Sequence, residues 1–375
     1  VATDDQLTIA VVGLGFGAAF VPIYQSHPSV AEVVICDPDR GRLDAVGAEH
    51  GIARRLTDYD EVLADESITA VHLVTPMPIH AEQSIAALAA GKHCACAVPM
   101  GMSVREVEAV HAAQRASGRN YMMMETAVYT REFLHLKEIT DTGDLGAVQL
   151  LRGAHYSNYE NWPAWKWYPP MLYATHALAP LLAISGTRVA SVRCLGSGRM
   201  PARFTEPYGN PFPSETAIFE LTGLPYPLAA EVTRTIFATV RQELESFDVY
   251  GERLGFEWSR VRGRPGLLHR LEAGAPEHGR HPTVITEELE SPDRTESLPA
   301  DLQPFVRSIT GPDGRRRGGG HGGSHPHLVH EFVESIVAGR PPAIDARISA
   351  AWTLPGICAH ESALAGGAEI PVPQL

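Results

Sequence analysis

Gly13-Leu14-Gly15-Phe16-Gly17-Ala18 is a glycine loop of the kind that lets a phosphate lie against the backbone. Gly13 permits a tight turn. Gly15 removes the side chain where an anion would approach, and Ala18 fills the third position with a residue still small enough for close helix packing. The loop runs from an apolar strand into a helix, whose free N–H groups and dipole favour negative charge. Asp37 stands twenty residues beyond Gly17, at the end of the next strand, where a carboxylate accepts hydrogen bonds from a ribose. These residues imply a bound dinucleotide. Asp37 would repel a 2′-phosphate, which favours NAD over NADP, and Arg40 is the one nearby cation that argues the other way.

Two other groups could do chemistry. Only three of the 31 basic residues are lysine (Lys92, Lys137 and Lys166), so a retained lysine marks a place where a titratable amine could be needed. Lys166 lies in Trp162-Pro163-Ala164-Trp165-Lys166-Trp167-Tyr168, which holds three of the five tryptophans. Aromatic faces stack on sugar rings, but the same composition suits a subunit interface. His321, His325, His327 and His330 follow an Arg- and Gly-rich run, Arg315 to Gly320. Nothing in their spacing fixes a metal geometry, so no metal is expected, and a flexible basic loop near a pocket mouth is the favoured reading.

The elements that must position these residues follow from the apolar pattern. Strands over Leu7–Val12, Glu32–Cys36, Ala70–Thr75, Lys92–Ala97 and Asn120–Glu125 alternate with helices over Phe20–Ser26, His80–Ala90 and Val104–Ser117. That alternation predicts a parallel sheet with helices on both faces. After Glu125 comes a helix over Thr130–Thr142. Closely spaced strands follow over Val148–Tyr156, Val189–Ser197, Ser214–Leu221, Pro227–Thr235 and Glu243–Tyr250, a mostly antiparallel pattern. Residues 260–324 give no clear period, and helical spacing returns over Leu328–Ala338 and Ile348–Gly366. The reading is α/β: a Rossmann domain over 1–125 with a parallel sheet, then an α+β domain over 126–375 for substrate binding and oligomerisation.

Composition sets the outer bounds. A net charge of −13 argues against nucleic acid and anionic membranes as partners. There is no apolar run long enough to span a bilayer and no signal-peptide layout at the start, so a cytoplasmic protein is expected. The five cysteines match no zinc spacing and read as reduced core thiols.

Thr75-Pro76-Met77-Pro78-Ile79-His80 and Gly91-Lys92-His93-Cys94-Ala95-Cys96-Ala97-Val98-Pro99-Met100, taken with the glycine loop, resemble the glucose–fructose oxidoreductase / inositol dehydrogenase (Gfo/Idh/MocA) superfamily. The resemblance implies a C-terminal open-faced, mostly antiparallel sheet whose exposed face meets nicotinamide and sugar, and a homo-oligomer (dimer or tetramer). It also implies that Thr75, Pro76, His80 and Pro99, with Gly13, Gly15, Phe16, Gly17, Asp37 and Arg40, bind the cofactor. One departure is informative. Dehydrogenases of the superfamily carry Glu-Lys-Pro where this chain has Ala97-Val98-Pro99, and Val98 cannot carry a proton. Leu172 likewise stands where an Asp is usual.

Met124-Glu125-Thr126-Ala127-Val128-Tyr129 and Tyr173-Ala174-Thr175-His176-Ala177-Leu178-Ala179-Pro180 look like the NAD-dependent glycoside hydrolases within that superfamily. Their chemistry has no net redox change. Oxidation at carbon 3 of the sugar acidifies the proton on carbon 2, whose loss expels the group on carbon 1; water then adds and the ketone is reduced again. The resemblance places Tyr129, Tyr173 and His176 at catalytic positions. His176, which titrates near neutrality, suits the 3-hydroxyl proton. Tyr129 suits the proton on carbon 2 if a cation such as Lys166 lowers its pKa. Two sugars are in view. An α-sulfoquinovoside is favoured, with Arg152, Lys166 and Arg315 to Arg317 as sulfonate contacts and Trp165, Trp167 and Tyr168 over the ring; an α-N-acetylgalactosaminide is the other. A plain sugar or polyol dehydrogenase using His176 or Lys166 is the competing reading, and a non-catalytic NAD-binding sensor is the third.

Overall fold

The computed structural model describes residues 6–375 apart from 161–167, 207, 238, 242–243, 262–263, 273–281, 308, 311–315 and 318. Six parallel strands form the first sheet: β1 (Leu7–Val12), β2 (Val30–Cys36), β3 (Arg55–Leu56), β4 (Ala70–Leu73), β5 (His93–Cys96) and β6 (Tyr121–Met123). Their order, β3-β2-β1-β4-β5-β6, reverses between β1 and β4, the Rossmann arrangement. β4 is buried end to end and β1 at every residue but Thr8, as strands of a sheet covered on both faces must be.

The helices of this part are α1 (Leu14–Gly17), α2 (Val21–Gln25), α3 (Arg40–Glu49), α4 (Tyr59–Ala64), α5 (His80–Ala89) and α6 (Val104–Ser117). α6 has clear punctuation: the Ser103 hydroxyl accepts from the Glu106 N–H, and Gly118 ends the helix at φ 65°. α3 buries only Leu43, Val46 and Gly47, and α4 only Val62, too thin a stripe for sequence periodicity to reveal.

The second part opens with α7 (Arg131–Asp141), then β7 (Val148–Tyr156), α8 (Thr175–Ser185), β8 (Arg188–Ser197), β9 (Ser214–Thr222), β10 (Leu228–Thr235), β11 (Leu244–Gly251), β12 (Leu254–Glu257), β13 (Gly266–Leu271) and β14 (Val284–Leu289). A short ribbon, β15 (Ile309–Thr310) with β16 (Arg316–Arg317), precedes α9 (His325–Val337), α10 (Ala346–Leu364) and β17 (Ile370–Pro371). The large sheet runs β14-β13-β12-β11-β7-β10-β9-β8-β17. Every neighbouring pair is antiparallel except β7 with β10, which is parallel.

The compact units are not the two continuous blocks expected from sequence. One comprises residues 1–130, Asp293–Leu354 and 374–375; the other comprises Arg131–Pro292 and Pro355–Pro373. The segment Asp293–Leu354, which the sequence reading placed in the C-terminal domain, belongs with the first unit because α9 packs on α2 and on the turn Thr126–Tyr129. Its buried Leu328, Val329, Phe332 and Val333 need that surface.

Within the second unit, strand alternation sorts the side chains. Leu151, Gly153 and His155 on β7, with their β10 partners Ala230, Val232 and Arg234, face the side covered by α8. Leu150, Arg152 and Glu231 point to the other side. α8 lies close on the sheet because Gly153 has no side chain: a Cβ there would overlap the Ala177 carbonyl oxygen. The five cysteines are unpaired and buried, and among the described residues no helix is long and apolar enough to cross a membrane.

Gly153→Ala is therefore expected to destabilise the chain by about 1–3 kcal/mol, the usual range for overpacking. A urea unfolding midpoint unchanged from the parent would refute the close approach.

Candidate active site

In the first unit, Gly13 adopts φ 89°, and a Cβ there would lie 2.6 Å from the Val74 carbonyl oxygen. A Cβ on Gly15 would meet nothing within 4 Å, so the loop leaves open space where a phosphate would approach. Sequence reasoning gave the close-packing position to Ala18. Here Gly17 takes that role, since a Cβ on it would press on Val11 and Val74 at 3.2 and 3.3 Å. Phe16 is 47% exposed beside the loop.

Asp37 is 2% exposed. Its carboxylate accepts from the N–H groups of Leu14 (2.8 Å) and Asp39 (2.9 Å), which ties the end of β2 to the glycine loop. Its cation is Arg42, 3.1 Å from both oxygens, rather than the Arg40 singled out from sequence, which is exposed at the start of α3. The open cradle and the anchored carboxylate fit a dinucleotide.

Thr75, Pro99 and His80 form one corner. The His80 imidazole lies between two carbonyls, Nδ1 2.9 Å from that of Pro99 and Nε2 2.7 Å from that of Thr75. Two acceptors ask for two N–H donors, which only the charged ring supplies. Burial pushes the ring's pKa down, but Cys96 and the two carbonyls outweigh it and raise it to about 9. Val98, 4% exposed, fills the position of the usual lysine with hydrocarbon.

In the second unit, Tyr173 ends the 3-10 turn Pro170–Tyr173 and His176 sits in the first turn of α8. Their rings are 4.9 Å apart, centroid to centroid. A third ring completes the group. His155, near the end of β7, lies 5.9 Å from Tyr173 and 5.3 Å from His176. His155 Nε2 is 3.3 Å from Glu245 Oε1 on β11 and 3.2 Å from the Ser157 hydroxyl. Glu215, fully buried on β9, accepts from the Met171 N–H at 2.8 Å and from His360 Nδ1 at 2.6 Å, which pins the turn that presents Tyr173. Sequence reasoning missed His155, although its inward register with Leu151 and Gly153 was available from the alternation of β7.

The remaining candidates fall elsewhere. Tyr129 lies in the first unit, nearly parallel to His327 at 6.4 Å. Burial and Glu331 push its hydroxyl well above the ordinary value, against the pull of Arg340. Lys166, Trp165 and Trp167 lie outside the described residues, as does Arg315, and the side chains of Arg316 and Arg317 are likewise not described. Arg152 was expected to contact substrate, but alternation turns it to the other face of the sheet, 3.2 Å from Glu231. Tyr168 packs on Tyr208, 4.7 Å between centroids. Lys92 is a structural lysine, donating to the carbonyls of Asp65 and Ile68.

The late histidines do not form a flexible basic loop. His325, His327 and His330 lie on α9. His325 bonds to His321 at 3.1 Å, His330 to His27 at 3.1 Å, and Phe16 sets its ring edge-on against His321 and His325. Burial lowers His27 and His327 to about 4, so these rings are neutral rather than basic at pH 7. Among the described residues no three His, Cys, Asp or Glu side chains are arranged to hold a metal ion.

Comparison with known proteins bears on this arrangement. The model of an oxidoreductase family with an NAD-binding Rossmann fold, GFO_IDH_MocA, matches residues 7–125. The match covers the strand–loop–helix unit that carries the Gly13–Asp37 cradle and stops where the first sheet ends. Over its full length the chain is similar to a glycosyl hydrolase family 109 protein of Streptomyces coelicolor, 27% identical over 415 residues, covering 100% of this chain and 84% of the relative. A second protein of that name, from Saccharopolyspora erythraea, is 21% identical over 406 residues, covering 99% and 83%. An inositol 2-dehydrogenase of Salmonella typhimurium is 28% identical over 173 residues, covering 45% and 51%. Levoglucosan dehydrogenase, solved with NADH and levoglucosan, shares the fold with a TM-score of 0.78 at 20% identity, covering 98% of this chain and 100% of that one. The match to an NAD-binding Rossmann fold over residues 7–125 identifies NAD as the cofactor of the Gly13–Asp37 cradle, as expected from sequence.

The His80 corner has a measurable signature. A histidine raised in the folded state stabilises fully below its unfolded pKa near 6.5, and that stability is lost as pH rises through about 9. The loss is expected to reach about 3 kcal/mol between these limits. Buried His27 and His327 titrate on the acid side, outside this window. His80→Gln should flatten the dependence of the urea midpoint on pH between 6.5 and 9; a slope identical to the parent would remove the charge from His80.

Proposed function

We propose that this protein is an NAD-dependent glycoside hydrolase that works by oxidation, elimination, water addition and re-reduction, with no net redox change. The observation that carries this reading is the ring triangle of His155, Tyr173 and His176, three proton-carrying groups gathered in a chain whose usual lysine position holds Val98. Full-length similarity to two glycosyl hydrolase family 109 proteins supports it.

NAD, when bound, accepts a hydride from the sugar carbon that bears the reacting hydroxyl and later gives it back. Gly13, Gly15, Gly17 and Asp37 would hold it. His176 takes the hydroxyl proton as the alcohol becomes a ketone. Tyr173 takes the proton from the neighbouring carbon, now acidified by the ketone. The electron pair left there forms a double bond as the bond to the anomeric oxygen breaks. His155, backed by Glu245, gives the departing oxygen its proton. Water then adds to the double bond, its hydroxyl going to the anomeric carbon, and the borrowed protons return in reverse order. Sugar and alcohol leave, and the side chains recover their starting protonation.

Tyr129 is given no proton-transfer role, because a phenol pushed above its ordinary pKa stays protonated at neutral pH. The sugar is read as an α-glycoside. With Arg152 paired to Glu231, a sulfonate is no better supported than an N-acetyl group.

A second reading, an NAD-dependent sugar or polyol dehydrogenase, is favoured by the His155–Glu245 pair, since oxidation alone needs only a base for the hydroxyl proton.

Para-nitrophenyl α-sulfoquinovoside and α-N-acetylgalactosaminide, assayed with and without NAD, separate the two. The glycosidase should release nitrophenolate only with NAD and without accumulating NADH. His176→Ala should lower kcat by about a hundredfold or more. Steady NADH production from free sugars with no nitrophenolate would transfer the case to the dehydrogenase.

A further inference from the structure

Arg234 on β10 is fully buried. A buried guanidinium normally has a carboxylate partner, because an uncompensated charge in a low-dielectric interior costs several kcal/mol. Among the described residues Arg234 has none. Nη1 donates to the carbonyls of His155 (3.0 Å) and Thr235 (2.6 Å), and Nη2 donates to the Tyr159 hydroxyl (3.1 Å). Its Nε–H is buried without an acceptor. The remaining compensation comes from two ring faces, Tyr159 at 5.5 Å and Tyr173 at 5.6 Å from the guanidinium carbon.

We propose that Arg234 is a positioning residue that acts through Tyr173: a fixed, unneutralised cation that favours the phenolate of Tyr173 and so equips it to exchange a proton near neutral pH. This rests on reading the His155–Tyr173–His176 triangle as the proton-transfer site. A tyrosine at its ordinary value near 10 is a poor base at neutral pH, and an opposite charge close by is what lowers it. Among the described residues, the charged and titratable groups of the elements around Tyr173 do not cancel the effect. His155 from β7 and His176 from α8 are neutral or positive. Glu245 on β11 is engaged with His155, and Glu215 on β9 is taken up by the Met171 N–H and by His360 from α10. The Tyr159 hydroxyl oxygen already accepts from Arg234 Nη2. The charge is also held rigidly: two carbonyls at the ends of β7 and β10 fix the guanidinium plane, so no reorganisation is needed when Tyr173 ionises.

The test is a pH titration of the chain labelled with 13Cζ-tyrosine, with the Tyr173 signal assigned from Tyr173→Phe. It needs neither NAD nor substrate. In the parent, Tyr173 should ionise below the ordinary value, by about one to two pH units. Arg234→Met should abolish that shift, and Arg234→Lys, which keeps the charge but not the fork, should retain most of it. A Tyr173 titrating at or above 10 in the parent overturns the proposal without reference to any Arg234 variant. Equal Tyr173 titrations in folded Arg234→Met and Arg234→Lys chains overturn it as well. A lowered Tyr173 that depends on Arg234, in a chain that cleaves no glycoside, upholds this inference and removes the glycosidase reading.

Discussion

The contact on which the second unit depends is the approach of α8 to β7 at Gly153. A helix lying on a sheet ordinarily stands off by the thickness of the side chains between them. Here the Ala177 carbonyl takes the space of a missing Cβ. That approach lowers the first turn of α8 onto the end of β7, where His155 is the next inward residue after Gly153. The ring of His176 then falls 5.3 Å from that of His155, and the turn before the helix sets Tyr173 beside both. A second glycine serves the same turn, since a Cβ on Gly356 of α10 would overlap the Met171 carbonyl. Glu215 holds the neighbouring N–H of Met171. The turn is thus gripped at one residue on both its donor and its acceptor.

The two units treat buried charge differently. In the first, most buried imidazoles are neutral and meet one another or aromatic edges, while His80 keeps a proton because two carbonyls face it. In the second, a buried cation faces phenol rings and carbonyl oxygens, and a buried carboxylate faces a histidine and a backbone N–H. An imidazole can shed its proton when burial becomes costly, whereas a guanidinium cannot. Arg234 is therefore a permanent source of field, and His80 a conditional one.

Much of the fold was legible in sequence because it rests on local signals. The buried strands β1 and β7, and helix α6 between Ser103 and Gly118, follow from apolar period and capping residues. α3 and α4 escaped because each buries too few apolar residues to leave a period. The return of Asp293–Leu354 to the first unit escaped because no local pattern encodes which surface α9 will cover. The site divides in the same way. Gly13, Gly15 and Asp37 could be read from spacing along one strand–loop–helix unit. Tyr173 and His176 came from a motif four residues long. His155, Arg234 and Glu215 lie on three different strands, and only the register of those strands places them together. Arg152 misled because an arginine near the right segment says nothing of which face it takes, and a shift of one residue reverses the face.

The interrupted make-up of the units has a consequence for how the chain must be made. Residues 1–130 emerge from the ribosome well before α9, yet the surface formed by α2 and by His27 just beyond it stays uncovered until α9 has been synthesised. The large sheet waits as well, because β17 and the end of α10, with His360 and Gly356, are made after all its other strands. Neither unit can close before these later segments are made. A nascent chain stalled before residue 293 presents two unfinished apolar faces at once, the condition under which chaperones bind and aggregates begin.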